Sequence, residues 1–388
     1  MGLRHHVYFS PGMFGFGTLG SFNYFQHVER ELAARFEAAG HALVGHVISD
    51  LPTASVRRRS TRLAEIIAKT SGESEPIHLL GHSTGGLDSR LVASPATVSI
   101  DPALLRWMPR LRSVTTMNTP HYGTPLASFF VTANGQRALA ALSMLTVTGL
   151  SIGAQPLAAA SVLLGFLRAS DQALPFKIAL LDRSIASVVG LVDDARSPEV
   201  KTFLGAIEDD QGSMLQVSPE AMDLVVAGFS DRPGVVYQST VSMTPKPKPT
   251  SLVRQLGHPW RTVSMSLFYA LHRITAKVGE RYPCAAMRGP IPFAGDPTEA
   301  VLARAFGVTP LDSNDGIVPL RSQLWSEVVW AGYGDHLDVL GHYAGGDNVT
   351  AELRHRDWLT SGSEFGDAQF TALIDAIAAG MLGAPMTQ

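Results

Sequence analysis

Among 388 residues there is a single cysteine, Cys284. It can form neither an intramolecular disulfide nor a cysteine-based zinc cluster, which fits a reducing compartment. Charge is also scarce, at 17% of residues against roughly 25% in an ordinary soluble chain. With 31 basic and 34 acidic residues the formal net charge is −3. No basic excess exists to meet a phosphate backbone, so no nucleic-acid partner is expected. A hydrophobic content of 45% excludes a disordered, solvating chain. No H-E-x-x-H or comparable ligand cluster occurs, which speaks against a metal-dependent hydrolase. The first residues lack the basic-then-apolar pattern of a secretory signal. A cytoplasmic location is the expectation, with a secreted form already stripped of its signal as the alternative.

One stretch, Ala138 to Leu167, carries no charge and is long enough to span a bilayer. Gly149, Gly153, Gln155 and Pro156 interrupt it. It reads better as apolar helices broken near Pro156 than as a transmembrane span.

No internal repeat is visible, and the first ~120 residues alternate between strand and helix patterns, which implies a parallel sheet. Strands are predicted at Val7–Ser10, Leu43–Ile48, Ile77–Leu80 and Ser113–Met117, with helices at Tyr24–Gly40, Ser60–Thr70 and Leu87–Ala93. Residues 125–230 are helical and apolar and look like an insertion into one domain covering 1–388. Strand character returns at Val235–Met243 and Val328–Ala331, and Phe370–Met381 closes the chain as an apolar helix. Between them, Pro245-Lys246-Pro247-Lys248-Pro249 must be loop, because alternating prolines fit neither helix nor central strand.

Gly81-His82-Ser83-Thr84-Gly85 matches G-x-S-x-G, and so does Gly149-Leu150-Ser151-Ile152-Gly153. Context separates them. A nucleophile elbow needs a strand before the serine and a helix after it; Ser83 has both and Ser151 neither. His82 reads as a packing position, since it faces the wrong way to serve as base. An oxyanion needs two preorganised N–H donors. The amide of Thr84, next to the nucleophile, is one candidate. The other is Met13, in the glycine-rich loop Ser10–Gly17 after the first strand, where a plain turn is the alternative. The base needs a carboxylate to fix its tautomer, and the chain order in such folds is serine, acid, histidine. Ser313-Asn314-Asp315-Gly316 is a polar turn that would present Asp315. His336 follows in Gly334-Asp335-His336-Leu337-Asp338, just after a strand, with His342 as the second choice of base. A turn-capping Asp315 and a surface His336 are the bland alternative.

Together these segments resemble the true lipases of the Pseudomonas and Burkholderia type within the α/β-hydrolase fold. Pro11-Gly12-Met13-Phe14-Gly15-Phe16 resembles their oxyanion loop, with proline replacing the usual histidine. Gly81-His82-Ser83-Thr84-Gly85-Gly86 resembles the elbow, and Asn118-Thr119-Pro120-His121-Tyr122-Gly123-Thr124 the segment before the lid. The Asp315 and His336 segments resemble those of the acid and base. The resemblance implies a mostly parallel sheet with helices on both faces, a helical cap or lid at 125–230, and hydrolysis of acyl esters. It also implies a structural calcium ion on the carboxylates of Asp296 and Asp338 and the carbonyls of His342 and Gly346, and no organic cofactor. The family's disulfide cannot form here, and Lys201–Gln238 is longer than in compact members.

The expectation is therefore a serine hydrolase acting on medium- or long-chain esters, touching a lipid surface through its cap. An esterase of short-chain esters, an acyltransferase, a polyester depolymerase and an inactive hydrolase-fold binding protein remain open. Leu139, Leu142, Met144, Leu145, Leu150, Leu163, Leu164, Phe166 and Leu167 would supply either an acyl cleft or simply the core of the cap.

Overall fold

The computed structural model describes residues 2–13, 18–19, 22–48, 54–95, 100–132, 135, 138, 212–248, 259–278, 296–343 and 359–383. The first strand, β1 (Arg4–Ser10), precedes a small hairpin of β2 (Thr18–Leu19) and β3 (Phe22–Asn23). Then come α1 (Gln26–Ala38), β4 (Ala42–Val47), α2 (Val56–Thr70), β5 (Ile77–His82), α3 (Thr84–Ala93), β6 (Leu111–Met117) and α4 (Pro125–Phe130). After residues 139–211, which lie outside the described set, follow α5 (Gly212–Gln216), α6 (Pro219–Ala227) and β7 (Val236–Met243). The chain continues through α7 (Pro259–Thr275), α8 (Asp296–Phe306), β8 (Glu327–Tyr333) and α9 (Asp367–Leu382).

Six strands form one sheet in the order β4-β1-β5-β6-β7-β8, and every pairing is parallel. The inner strands β5 and β6 are buried along their whole length, as a parallel sheet covered on both faces requires. Alternation along a strand splits its side chains between two cores. Val7 and Phe9 of β1 and Leu80 of β5 join Val28, Leu32 and Phe36 of α1 and Leu373, Ile374 and Ile377 of α9. Tyr8, Ile77 and Leu79 face the other way, onto Leu63 and Ile67 of α2 and Val92 of α3. The spacing of Val28, Leu32 and Phe36 is one helical stripe, and each such fully buried side chain contributes about 1.5–3 kcal/mol. A third core, under β7 and β8, is closed by Leu302 and Phe306 of α8.

The parallel sheet expected from the alternating pattern is observed, and with helices on both faces it fits the α/β-hydrolase-like fold that the resemblance implied. The boundaries differ for local reasons. β5 runs through His82 because Gly81 still pairs with Ser10 and Thr116. α2 starts before Ser60, where the Ser55 side chain caps it by accepting from the Arg58 amide. Among the described residues no helix is long and apolar enough to cross a membrane. Apart from Ala138, the run Ala138–Leu167 and Ser151 within it lie outside the described residues. Because all six strands are parallel, their C-terminal ends share one edge, where ligands of open α/β sheets gather.

Candidate active site

Ser83 sits between the end of β5 and the start of α3 with φ 54° and ψ −129°. A non-glycine residue in so sparse a region costs of order 1–3 kcal/mol. The surroundings hold it there. Its amide donates to the Met117 carbonyl at 2.8 Å, and its carbonyl accepts from Gly86 at 3.1 Å. Close backbone approach explains the flanking glycines: a Cβ on Gly85 would lie 2.0 Å from the Ser10 carbonyl oxygen. A Cβ on Gly12 would lie 2.7 Å from the Ser83 Cβ, so the loop after β1 rests directly on the serine.

The Asp315 and His336 segments, 21 residues apart in the chain, converge at this edge. His336 Nδ1 lies 2.7 Å from Asp315 Oδ2, and the His336 amide donates to the Asp315 carbonyl at 3.1 Å. Asp315 is fully buried and acts as an acceptor throughout. Oδ1 receives the amides of Ile317 (2.9 Å) and Val318 (2.7 Å). Oδ2 also receives Asn118 Nδ2 (2.9 Å) and Gln323 Nε2 (3.3 Å). A carboxylate so surrounded by donors holds the Nδ1–H tautomer of His336, leaving Nε2 able to take a proton.

Ser83, Thr84, Met13 and His336 line one cavity. The Thr84 amide is the first of α3, and the first amides of a helix have no partner within it. Behind Met13, Arg59 of α2 donates to the Pro11 carbonyl and forms a buried ion pair with Asp88 of α3 at 2.7 Å. Ser10 donates to the same Asp88 oxygen at 2.9 Å. Apart from Tyr24 and Thr124 the remaining wall is apolar, with Leu126, Ala127, Phe130, Met214, Val217 and Leu359 among its residues. Asn118 adopts φ 48°, a conformation asparagine tolerates better than most residues. That turn aims its amide at Asp315.

Of the remaining sequence candidates, His342 is buried with its ring 5.3 Å from His27 and does not line the cavity. Asp338 is buried, and its Oδ2 accepts from the Asp335 amide (2.7 Å) and the Ser363 hydroxyl (2.6 Å). Asp296 opens α8, but its side chain, like Gly346, lies outside the described residues. Among the described residues no three His, Cys, Asp or Glu side chains group as metal ligands. The Asp338 carboxylate is already engaged by the Asp335 amide and the Ser363 hydroxyl within the protein. Next to His336, burial pushes the Asp335 carboxyl up to about 6, and the nearby Asp315 charge adds to the rise.

The sequence reading missed Arg59, Asn118, Gln323 and Tyr24. Arg59 had a signal: it stands three residues after Val56 and four before Leu63, on the buried stripe of α2, while Arg57 and Arg58 face solvent. His82 is buried as expected, but it is more than packing. Its Nε2 lies 2.8 Å from the His336 carbonyl oxygen.

No family model matches the chain, and no curated protein matches it in sequence. Solved structures do. EstA from Clostridium botulinum superposes with a TM-score of 0.51 at 15% identity, covering 99% of this chain and 89% of that one. The metagenomic carboxyl esterase MGS0156 gives 0.47 at 12% identity over 98% and 76%. A Staphylococcus hyicus lipase gives 0.46 at 15% over 97% and 94%. The first of these supports the fold. The narrower resemblance to Pseudomonas and Burkholderia lipases is not carried by these neighbours.

Proposed function

We propose that this chain is a serine hydrolase of carboxylic esters. The observation that carries the reading is the 2.7 Å Asp315–His336 pair opening onto the same cavity as Ser83 on its strained elbow. His336 Nε2 takes the proton of the Ser83 hydroxyl as Oγ attacks the ester carbonyl. The negative charge on the carbonyl oxygen is met by the amides of Met13 and Thr84. His336 then hands its proton to the leaving alkoxide, giving alcohol and acyl-enzyme. Water, deprotonated by the same histidine, attacks the acyl-enzyme, and the proton returns to Ser83 Oγ as the acid leaves. Asp315 orients His336 and stabilises its protonated form.

An uncharged, apolar wall supports acyl esters of medium or long chain over charged substrates. Leu215 and Leu224 stand exposed on α5 and α6, beside the cavity-lining Met214 and Val217. They support contact of this edge with a lipid surface, with 125–230 as the cap. Only the two ends of that segment are among the described residues. A structural calcium ion belongs to the reading only if chelation lowers the melting temperature. The deciding experiment is hydrolysis of esters from acetate to palmitate, with Ser83→Ala as blank. Rates that rise toward palmitate and vanish in the variant support the lipase reading, and rates confined to acetate and butyrate make it a short-chain esterase. Activity surviving in Ser83→Ala, or failure of a fluorophosphonate to label Ser83, refutes the site.

A further inference from the structure

His82 bonds on both sides. A carbonyl oxygen only accepts, so the 2.8 Å contact with the His336 carbonyl puts a proton on His82 Nε2. Burial holds the His82 imidazole well below the usual histidine range, so the ring is neutral. Its Nδ1 must then accept, and the Tyr24 hydroxyl at 2.7 Å is the donor. The Tyr24 oxygen also packs against Gly12, where an added Cβ would come within 3.0 Å of it. The polarity of both hydrogen bonds is thus fixed: Tyr24 O–H to His82 Nδ1, and His82 Nε2–H to the His336 carbonyl.

The two ends of this chain are the two parts of the site that must be in register. Gly12 precedes Met13 and rests on Ser83, while His336 carries the base. Asp315 holds the His336 imidazole and amide, and among the described residues His82 is the one that holds its carbonyl. We propose that Tyr24 and His82 are positioning residues that lock the oxyanion loop and the base into one frame beneath the nucleophile. This rests on the ester-hydrolase reading of the same site. Neither residue exchanges protons with substrate. A neutral His82 also keeps a second positive charge away from His336, whose ring centroid is 4.6 Å off.

The test is steady-state hydrolysis of a soluble p-nitrophenyl ester by the full chain and by Tyr24→Phe, His82→Leu, His82→Gln and the double variant Tyr24→Phe/His82→Leu. Tyr24→Phe keeps the ring that lines the cavity and His82 does not line it, so loss of alignment lowers kcat and leaves KM unchanged. A displacement near 1 Å costs about 100-fold, which is the fall expected for His82→Leu, with roughly tenfold for Tyr24→Phe. Glutamine can still donate to the His336 carbonyl, so His82→Gln recovers most of the loss. Because Tyr24 acts through His82, the double variant is no slower than His82→Leu alone. A rise in KM at constant kcat overturns the proposal, as does a glutamine variant as slow as leucine, or losses that multiply in the double variant. If His82→Leu fails to fold, Tyr24→Phe and His82→Gln decide, and wild-type kcat in both overturns it. A wild-type chain inert toward every ester, or activity persisting in Ser83→Ala, refutes the hydrolase reading instead.

Discussion

Replacing Asp315 by asparagine separates the orienting role of its carboxylate from its bulk. Five donors converge on the two oxygens: the Ile317 and Val318 amides on Oδ1, and His336, Asn118 and Gln323 on Oδ2. Asparagine has one acceptor oxygen and one NH2. The two main-chain amides cannot move, so the oxygen turns to them and the NH2 faces His336. The imidazole answers by shifting its proton to Nε2, where it can no longer receive one from Ser83. The expected loss in kcat is about 10⁴-fold with KM unchanged, the size seen when such an acid is made an amide. Asn118 and Gln323 lose a buried acceptor at the same time, at roughly 1–3 kcal/mol each. Urea unfolding should therefore show a drop of about 2–6 kcal/mol. Both are measured on the same preparation, with hydrolysis followed under conditions where the variant is folded. A folded variant that keeps kcat within about tenfold of wild type refutes the role given to Asp315.

Other outcomes follow from the same contacts. Arg59→Ala leaves Asp88 buried without its counter-charge and should lower unfolding stability by about 3–5 kcal/mol; a urea midpoint unchanged from wild type contradicts the ion pair. Gly12→Ala drives a methyl group into Ser83 and should cut kcat by roughly two orders of magnitude, measured by hydrolysis alongside fluorophosphonate labelling. Burial lowers His78 to about 3 and His5 and His272 to about 4. The unfolded chain takes up these protons from about pH 6.5 downward. Stability is therefore fully present above pH 6.5 and falls as pH drops toward 4, where the folded forms begin to titrate. His5 and His78 hydrogen-bond each other at 2.9 Å and titrate as a pair. Urea midpoints flat from pH 7 to pH 4 contradict this.

The parallel sheet was legible because its strands are short apolar runs alternating with amphipathic helices, and each run kept its place. Ser83 was legible for a related reason: a serine flanked by glycines between a strand and a helix has few other uses. Asp315 and His336 were found by chain order and by their position after strand patterns. The supports were less visible. Asn118 acts through a positive φ that no local pattern announces. Gln323 reaches Asp315 from a short turn, and Tyr24 reaches His82 across the sheet edge. These are long-range contacts between ordinary polar residues, with no period to betray them. Arg59 was the exception, readable from helical phase but hidden among its two exposed neighbours. His82 was placed correctly inside, but its polarity could be deduced only once the His336 carbonyl was seen opposite Nε2.

The strands β6 and β7 lie side by side although the chain between Met117 and Val236 is the longest stretch separating consecutive strands among the described residues. Its two ends are pinned one strand spacing apart whatever the excursion contains. Doubling the length of such a loop costs only about 0.6 kcal/mol. Ser83 precedes the excursion, while Asp315 and His336 are carried by chain that follows it. Leu126, Ala127, Phe130, Met214 and Val217 of the cavity wall come from this excursion, which is bounded by two adjacent seams in the sheet. In the proposed reading, exchange within it beyond Asn118, which holds Asp315, changes that part of the wall while Ser83, Asp315 and His336 stay on chain outside it, so selectivity and reaction chemistry are free to change at different rates.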